Sequence, residues 1–460
     1  MQYGEFVQRK LSVVPPTGIA ESIDLRGGLF PHQDALTQWA IKRGRSAIFA
    51  DTGLGKMRME LAWADAVHRH TGGDIMIHTP LAVAQQIASE AQKMGISATV
   101  CREESDLRKG INITNYDRLH KFDTDRFVGV VLDESGCIKH HDTKTFKALT
   151  DAYRNTQFKL PASATPAPND WTELGTHAEF LGICTRQEML AEFFTHDGGD
   201  TSVWRLKGHA RDVFWRWVAS WGAMIRRPSD LGFDDGAYNL PNLHVHEHTV
   251  NYEMPLNGML FSTEAQSLSE RREARKASMA DRVAECAALV NAEPNEPWVV
   301  WCDLNAEGDA LERAIHGAVQ ISGSDDTDTK ERRLMDFAEG RTRVLVSKPS
   351  ICGWGLNWQH SARMAFVGVT DSYEAYYQAV RRCWRFGQKR DVHVHVFASK
   401  AEGAVVENLT RKEREAGKMA EALSAETRDA VLAEVRGLTR QTNEYNANRA
   451  VSVPAFLRAA

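Results

Sequence analysis

Short apolar runs, rich in β-branched and small residues, recur along the chain with segments of helical apolar spacing between them. Residues 46–50, 74–80, 112–116, 128–134 and 159–165 read as strands, and 55–70, 82–94 and 142–155 as helices. Repetition of strand, helix and strand implies a mostly parallel sheet covered on both faces. The pattern lapses near residue 170 and resumes with strands at 297–304, 318–323, 343–347, 363–369 and 391–397. Between the two runs, 171–230 reads as helical and holds Trp171, Trp204, Trp215, Trp217 and Trp221. A Gly-, Pro- and Asn-punctuated connector follows at 231–244, then a charged helical pattern over 255–292. The expected fold class is α/β: two parallel-sheet domains in tandem, a helical insert between them and a C-terminal helical tail. The expected boundaries are 1–170, 171–248, 249–405 and 406–460. A length of 460 residues suits about three units at roughly 150 residues each.

Composition narrows the class. Hydrophobic residues are 43% and charged residues 25%, as in globular chains rather than disordered ones. No apolar run reaches bilayer-spanning length, and the opening segment lacks the apolar core of a secretory signal. The expectation is a cytoplasmic protein with no membrane partner. Seven cysteines form no C-x-x-C pair, so neither a zinc ribbon nor a disulfide framework is indicated. A net charge of −5 argues against a uniformly basic surface, while leaving room for a local basic groove.

The chemistry-bearing motifs sit where strands end. Asp51-Thr52-Gly53-Leu54-Gly55-Lys56-Met57 follows a predicted strand and opens a predicted helix. Glycines there let backbone N–H groups approach phosphate oxygens, the helix N-terminus favours negative charge, and the lysine reaches the outer phosphates. Ala50 stands where such a loop has its first glycine, and Met57 where a Ser or Thr binds magnesium. A thioether is a poor ligand for that hard cation. Downstream, an apolar strand ends in Asp133-Glu134. One carboxylate of such a pair holds magnesium, here Asp133, and the other orients and helps deprotonate a water. Ser163-Ala164-Thr165-Pro166 ends a further strand and by itself is a turn. In the second unit, Arg382 and Arg385 are three apart and predicted on one helix face. Scattered surface arginines would fit that helix equally. A planar guanidinium is also what stabilises charge on a transferring phosphoryl group.

In this order, the motifs resemble those of superfamily-two helicases, and within them the Swi/Snf-type DNA translocases, over most of residues 28–400. Phe30-Pro31-His32-Gln33 resembles the adenine-reading segment, with Gln33 as the base contact. Asp51 to Lys56 resembles the family's D-x-G-L-G-K. Thr79-Pro80 and Asn115-Tyr116 resemble strand-end motifs that track nucleic acid. Asp133-Glu134-Ser135 with Lys139 resembles the magnesium and water site. Ser163, Thr165 and, in the second unit, Gln378 resemble residues coupling nucleotide state to nucleic acid. Gly353-Trp354-Gly355-Leu356-Asn357 resembles the G-x-G-L-N turn, and Gln378 to Gln388 the family's arginine-bearing helix. Arg381 departs from it, where glycine is usual.

The resemblance implies two RecA-like domains with ATP and magnesium between them. Lys56, Asp133, Glu134, Arg382 and Arg385 would be catalytic, and Phe30, Gln33, Thr52, Gly53, Leu54, Gly55, Lys56, Met57 and Gly355 would hold ATP. Thr79, Pro80, Asn115, Tyr116, Gly353 and Asn357 would contact nucleic acid, most simply double-stranded DNA. Two other readings stay open: an RNA helicase, and a nucleotide-gated DNA-binding module with weak ATPase. The insert tryptophans are expected in core, because duplex DNA leaves few bases free to stack. His244, His246 and His248, and likewise His393 and His395, are expected as structural residues on strand faces. A compact motor of this kind is compatible with a small genome such as that of a virus or mobile element.

Overall fold

The computed structural model describes residues 14–80, 83–167, 170–197, 200–250, 275–352, 357–368 and 373–399, with isolated helical positions between 411 and 435. Six strands come from the first third: β1 Ala47–Ala50, β2 Asp74–Thr79, β3 Ala98–Val100, β4 Ile111–Asn115, β5 Phe127–Leu132 and β6 Phe158–Ser163. A hairpin follows, β7 Phe194–Asp197 against β8 Asp200–Leu206, and then β9 Gly222–Ile225. The first sheet runs β3-β4-β2-β5-β6-β1-β9, and every pairing in it is parallel.

Its strands are apolar without alternation because both faces are covered. Ile48, Ile77 and Val131 point to one face, into a core with Leu36, Trp39 and Trp63 from the helices Pro31–Arg43 and Lys56–Thr71. Their neighbours Phe49, Met76, Val130 and Leu132 point to the other, into a core with Tyr153, Phe180, Trp215 and Trp221.

The second unit contributes β10 Leu243–Val250, β11 Trp298–Trp301, β12 Ala318–Ile321, β13 Val344–Ser347, β14 Arg363–Phe366 and β15 Val392–Ser399. They form a second parallel sheet, β10-β15-β14-β11-β13-β12. Alternate residues again serve two cores, Val299, Trp301 and Met364 on one side and Trp298, Val300 and Ala365 on the other. Among the described residues no helix is long and apolar enough to cross a membrane.

One local expectation changes, and two fall partly outside the described residues. Among the described residues of 171–230, helix is confined to Trp171–Glu173, Leu174–Leu181, Arg186–Phe193, Gly208–Ala210, Arg211–Ala219 and Pro228–Leu231; the remainder includes the hairpin and β9. β9 completes the first sheet because it supplies an edge partner in register with all of β1. The insert tryptophans pack as expected: Trp215 and Trp221 are buried, and Trp171 and Trp217 lean on them edge-on. Of the 255–292 pattern, the described helix is Met279–Ala292, and most of the tail 406–460 lies outside the described residues.

The histidines form a ladder. β10 and β15 pair so that His244 faces His393 and His246 faces His395. Ring nitrogens of His246 and His393, and of His248 and His395, stand 2.9 Å apart, with rings stacked along the strands. A contact this short between two ring nitrogens needs one to donate and the other to accept, so one ring of each pair is neutral on the shared side.

Candidate active site

Parallel α/β sheets place ligands beyond the carboxyl ends of their strands. In the first sheet those ends carry the segments at or after the ends of β1, β2, β4, β5 and β6, which are five of that unit's motif segments; the sixth, Phe30 to Gln33, precedes β1.

The loop after β1 turns through Gly53 and Gly55, at φ 94° and 84°, a region that side chains rarely adopt. At Gly55 a Cβ would collide with the Gln33 amide, and at Gly53 it would lie 3.1 Å from the backbone nitrogen of Phe386. The loop is therefore clasped by the first unit on one side and the second unit on the other. Lys56 opens the helix, is 8% exposed, and donates from Nζ to the Ala50 carbonyl at 3.0 Å. Gln33 accepts from the Phe30 backbone N–H at 3.0 Å and donates to the Leu54 carbonyl at 3.0 Å. Phe30, exposed just before the helix Pro31–Arg43, meets Tyr238 and Phe386 edge-on, and those two rings lie 4.6 Å apart.

The carboxylates follow β5. Thr79 Oγ1 donates to Asp133 Oδ2 at 2.7 Å, and Tyr116 donates to the Asp133 carbonyl at 2.6 Å. Burial and the adjacent Glu134 push the Asp133 carboxyl up to about 7. Glu134 has φ 53°, the one positive φ among described non-glycine residues. Glu60, on the helix that Lys56 opens, is 1% exposed, and burial with the nearby Asp133 carboxyl holds its own well above the usual range.

From the second unit, Arg382 and Arg385 reach the same space. They do not lie on a helix: Tyr373–Val380 ends before them, and they sit in the turns that follow. Gln388 braces those turns, its amide donating to the carbonyls of Gln359, Ser361 and Cys383. Both arginines line the same cavity as Lys56 and Glu134. Arg382 donates to the Gln378 side chain at 3.2 Å. Burial lowers Arg382 to about 10 and Arg385 to about 9, and Glu134 acts against the shift in both.

These groups line one cavity of about 290 Å³: Phe30, Gln33, Thr52 to Lys56 apart from Leu54, Met57, Asp133, Glu134, Tyr238, Asn357, Arg382, Arg385 and Phe386 among them. Arg381, the departure from the family pattern, pairs instead with the phosphate-type loop. It donates to Asp51 Oδ2 at 3.0 Å while Tyr377 donates to Asp51 Oδ1 at 2.6 Å.

The remaining expected residues fall elsewhere. Thr79 is fully buried with its hydroxyl on Asp133, so it belongs to the carboxylate site and has no surface for nucleic acid. Tyr116 also braces Asp133, and Asn115 is 8% exposed; Pro80 is half-buried. Ser163 is buried and its hydroxyl accepts from the Thr165 backbone N–H, a turn closure outside the cavity lining. Leu54 is buried beneath the loop and serves through its carbonyl. Gly353 and Gly355 lie outside the described residues. Sequence reasoning missed Tyr238, Phe386 as a ring partner, and Glu60. Only the Phe386-Gly387-Gln388 triplet carried a signal, as part of a motif.

The lining fits a nucleoside triphosphate. A left-handed glycine loop with a lysine suits phosphates, the three rings suit a base edge, and the unpartnered Thr52 hydroxyl is buried facing that space. It also suits a divalent cation at Asp133, whose carboxyl is already aligned by Thr79.

Residues 281–387 match the helicase conserved C-terminal domain. A search of curated proteins gives no match. Among solved structures the chain is similar to the Sulfolobus solfataricus SWI2/SNF2 ATPase core in complex with dsDNA. Identity is 16% and the TM-score 0.42, over 90% of this chain and 98% of that one.

Proposed function

We propose that this chain is a Swi/Snf-like member of helicase superfamily two, hydrolysing ATP between its two α/β units to move along double-stranded DNA. One observation carries the reading. A single cavity brings together the loop Thr52–Met57 and Asp133-Glu134 from the first unit and Arg382 and Arg385 from the second. Hydrolysis that needs groups from both units depends on their approach, and approach and release are what move a motor. The helicase-domain match over the second unit supports the same assignment.

In this reading the Phe30, Tyr238 and Phe386 rings and Gln33 hold the base, and Lys56 contacts the outer phosphates. Glu134 orients the attacking water and accepts its proton. Arg382 and Arg385 stabilise the charge that builds on the transferring phosphoryl group. Asp133 holds magnesium, which when bound neutralises phosphate charge. A cytoplasmic setting belongs to the proposal.

ATP turnover measured alone, with duplex DNA and with single-stranded RNA tests it. Duplex DNA should stimulate most. Equal stimulation by RNA favours an RNA helicase. Met57 favours a third reading, a nucleotide-gated binder, and binding of ATP without turnover under any of the three conditions would select it.

A further inference from the structure

Met57 removes from the site the hydroxyl that such a loop offers to magnesium, and a thioether cannot stand in for it. One turn past Lys56 on the same helix stands Glu60. It is 1% exposed, and neither of its carboxylate oxygens has a hydrogen-bond partner. A buried carboxyl is ordinarily satisfied by donors or a counter-ion, because leaving it bare is costly. The charged groups near it are Asp133, Lys56 and Glu134, which are the groups of the hydrolytic site. Lys56 is committed to the Ala50 carbonyl at 3.0 Å. Two carboxyls beside a third are unfavourable as anions, so the cluster takes up protons in the absence of a cation and favours a cation's arrival in its ionised form.

We propose that Glu60 compensates for Met57, acting as a positioning residue whose carboxylate accepts hydrogen bonds from the water ligands of a magnesium ion held at Asp133. The proposal rests on the reading of the cavity as a nucleotide site. An outer role is the one the arrangement allows. Among the described residues no three acidic, His or Cys side chains are grouped to hold an ion directly. Magnesium commonly takes one or two carboxylates and keeps several waters, which need acceptors of their own. Loss of a partner of this outer kind typically costs about 10–100-fold in metal affinity. The unpartnered Thr52 hydroxyl is the competing compensator, but it is neutral and leaves the bare Glu60 carboxyl unexplained.

Manganese is the probe, its free concentration followed by electron paramagnetic resonance in the presence of ADP. Glu60→Gln, nearly isosteric, should weaken manganese binding by about tenfold, the scale on which outer partners act. In a Met57→Thr background the same change should cost less than about threefold, because the restored hydroxyl makes Glu60 dispensable. No loss in the wild-type background, or an equal loss in both, would overturn the proposal. A thermal melt without metal checks that the variant is folded. Should Glu60→Gln not fold, Met57→Thr alone decides. A gain in manganese affinity under about threefold agrees with a position already compensated, whereas a gain of tenfold or more overturns it. Binding of fluorescent ADP in EDTA reports on the cavity without metal. If it is absent, the nucleotide reading fails and this proposal with it; if it is present with Glu60→Gln without effect on manganese, only this one fails.

Discussion

In the proposed mechanism the chemistry turns on Glu134, and its backbone shows a cost. A non-glycine residue in the left-handed region is held there by its surroundings, at about 1–3 kcal/mol. The conformation carries the chain from the end of β5 into the short turn Ser135–Ile138 while Glu134 lines the cavity. Glu134→Gln keeps the shape of the side chain but removes the base. It should leave ATP affinity nearly intact and lower turnover by about 100-fold or more, read from single-turnover hydrolysis. A wild-type rate would remove Glu134 from the mechanism. Arg385 makes the contrasting case. In the proposed mechanism it acts from the other unit, so Arg385→Ala should cost roughly 1,000-fold in turnover with little change in nucleotide affinity. A loss confined to nucleotide affinity would make it a binding group instead.

At the scale of elements, two contacts stand out. Asp51, at the carboxyl end of β1, accepts from Tyr377 on the helix Tyr373–Val380 and from Arg381 just beyond it. Arg381 also lies over the rings of Tyr377 and Trp384. This joins the phosphate-type loop to the second unit, and the pair is largely buried, at 9% and 17% exposure. A double-mutant cycle of Asp51→Asn and Arg381→Ala should give coupling of about 1.5–3 kcal/mol in thermal stability, the range for charge-assisted bonds. Additive effects would show that the contact is not maintained in solution. The second contact is the histidine ladder of β10 and β15. His395 is lowered from 6.5 to about 3 by burial first and by His246, His248, His393 and Arg363 after it. His244 meets Asp391 and His248 meets Glu285 at its margins. The unfolded chain accepts a proton near pH 6.5 that the folded ladder resists. Its stability is thus fully present above about pH 6.5 and falls as pH drops from there toward 3. His395→Gln should flatten that acid slope in urea midpoints recorded between pH 7 and 4, and an unchanged slope would exclude the ladder as its source. The elements themselves were unequally legible. Strands covered on both faces announce themselves as apolar runs, so most of β1 to β6 and β11 to β15 could be read from sequence. β3 is a three-residue edge strand, and β9 is four residues whose identity depends on β1 being free beside them. The site divides in the same way. The loop and the carboxylates follow from local order, whereas Tyr238 meets Gln33 across 205 residues, and Glu60 acquires meaning only from where Asp133 lies.

For the whole molecule, the proposed function requires an acidic chain to grip a polyanion. With 56 basic and 61 acidic residues, the net charge is −5, so the average field repels DNA. Binding then depends on basic groups gathered along one path and facing phosphates at short range. A motor that follows the backbone makes several such contacts and releases a counter-ion at each. The logarithm of its affinity should fall linearly with the logarithm of salt concentration, with a slope of about −0.9 per phosphate neutralised. The dependence on nucleotide separates a translocase from a passive binder. If closure of the two units around ATP aligns their surfaces, the number of phosphates contacted differs between the ATP-bound and free states, and so does the slope. In the proposed mechanism a Glu134→Gln protein holds ATP without hydrolysing it, and its expected outcome is a duplex-DNA salt slope that shifts by about 1–2 on adding ATP. Fluorescence anisotropy of a labelled duplex between low and moderate salt gives both slopes. Identical slopes with and without ATP would mean that nucleotide and DNA are not coupled through closure, and would remove the basis for movement along DNA.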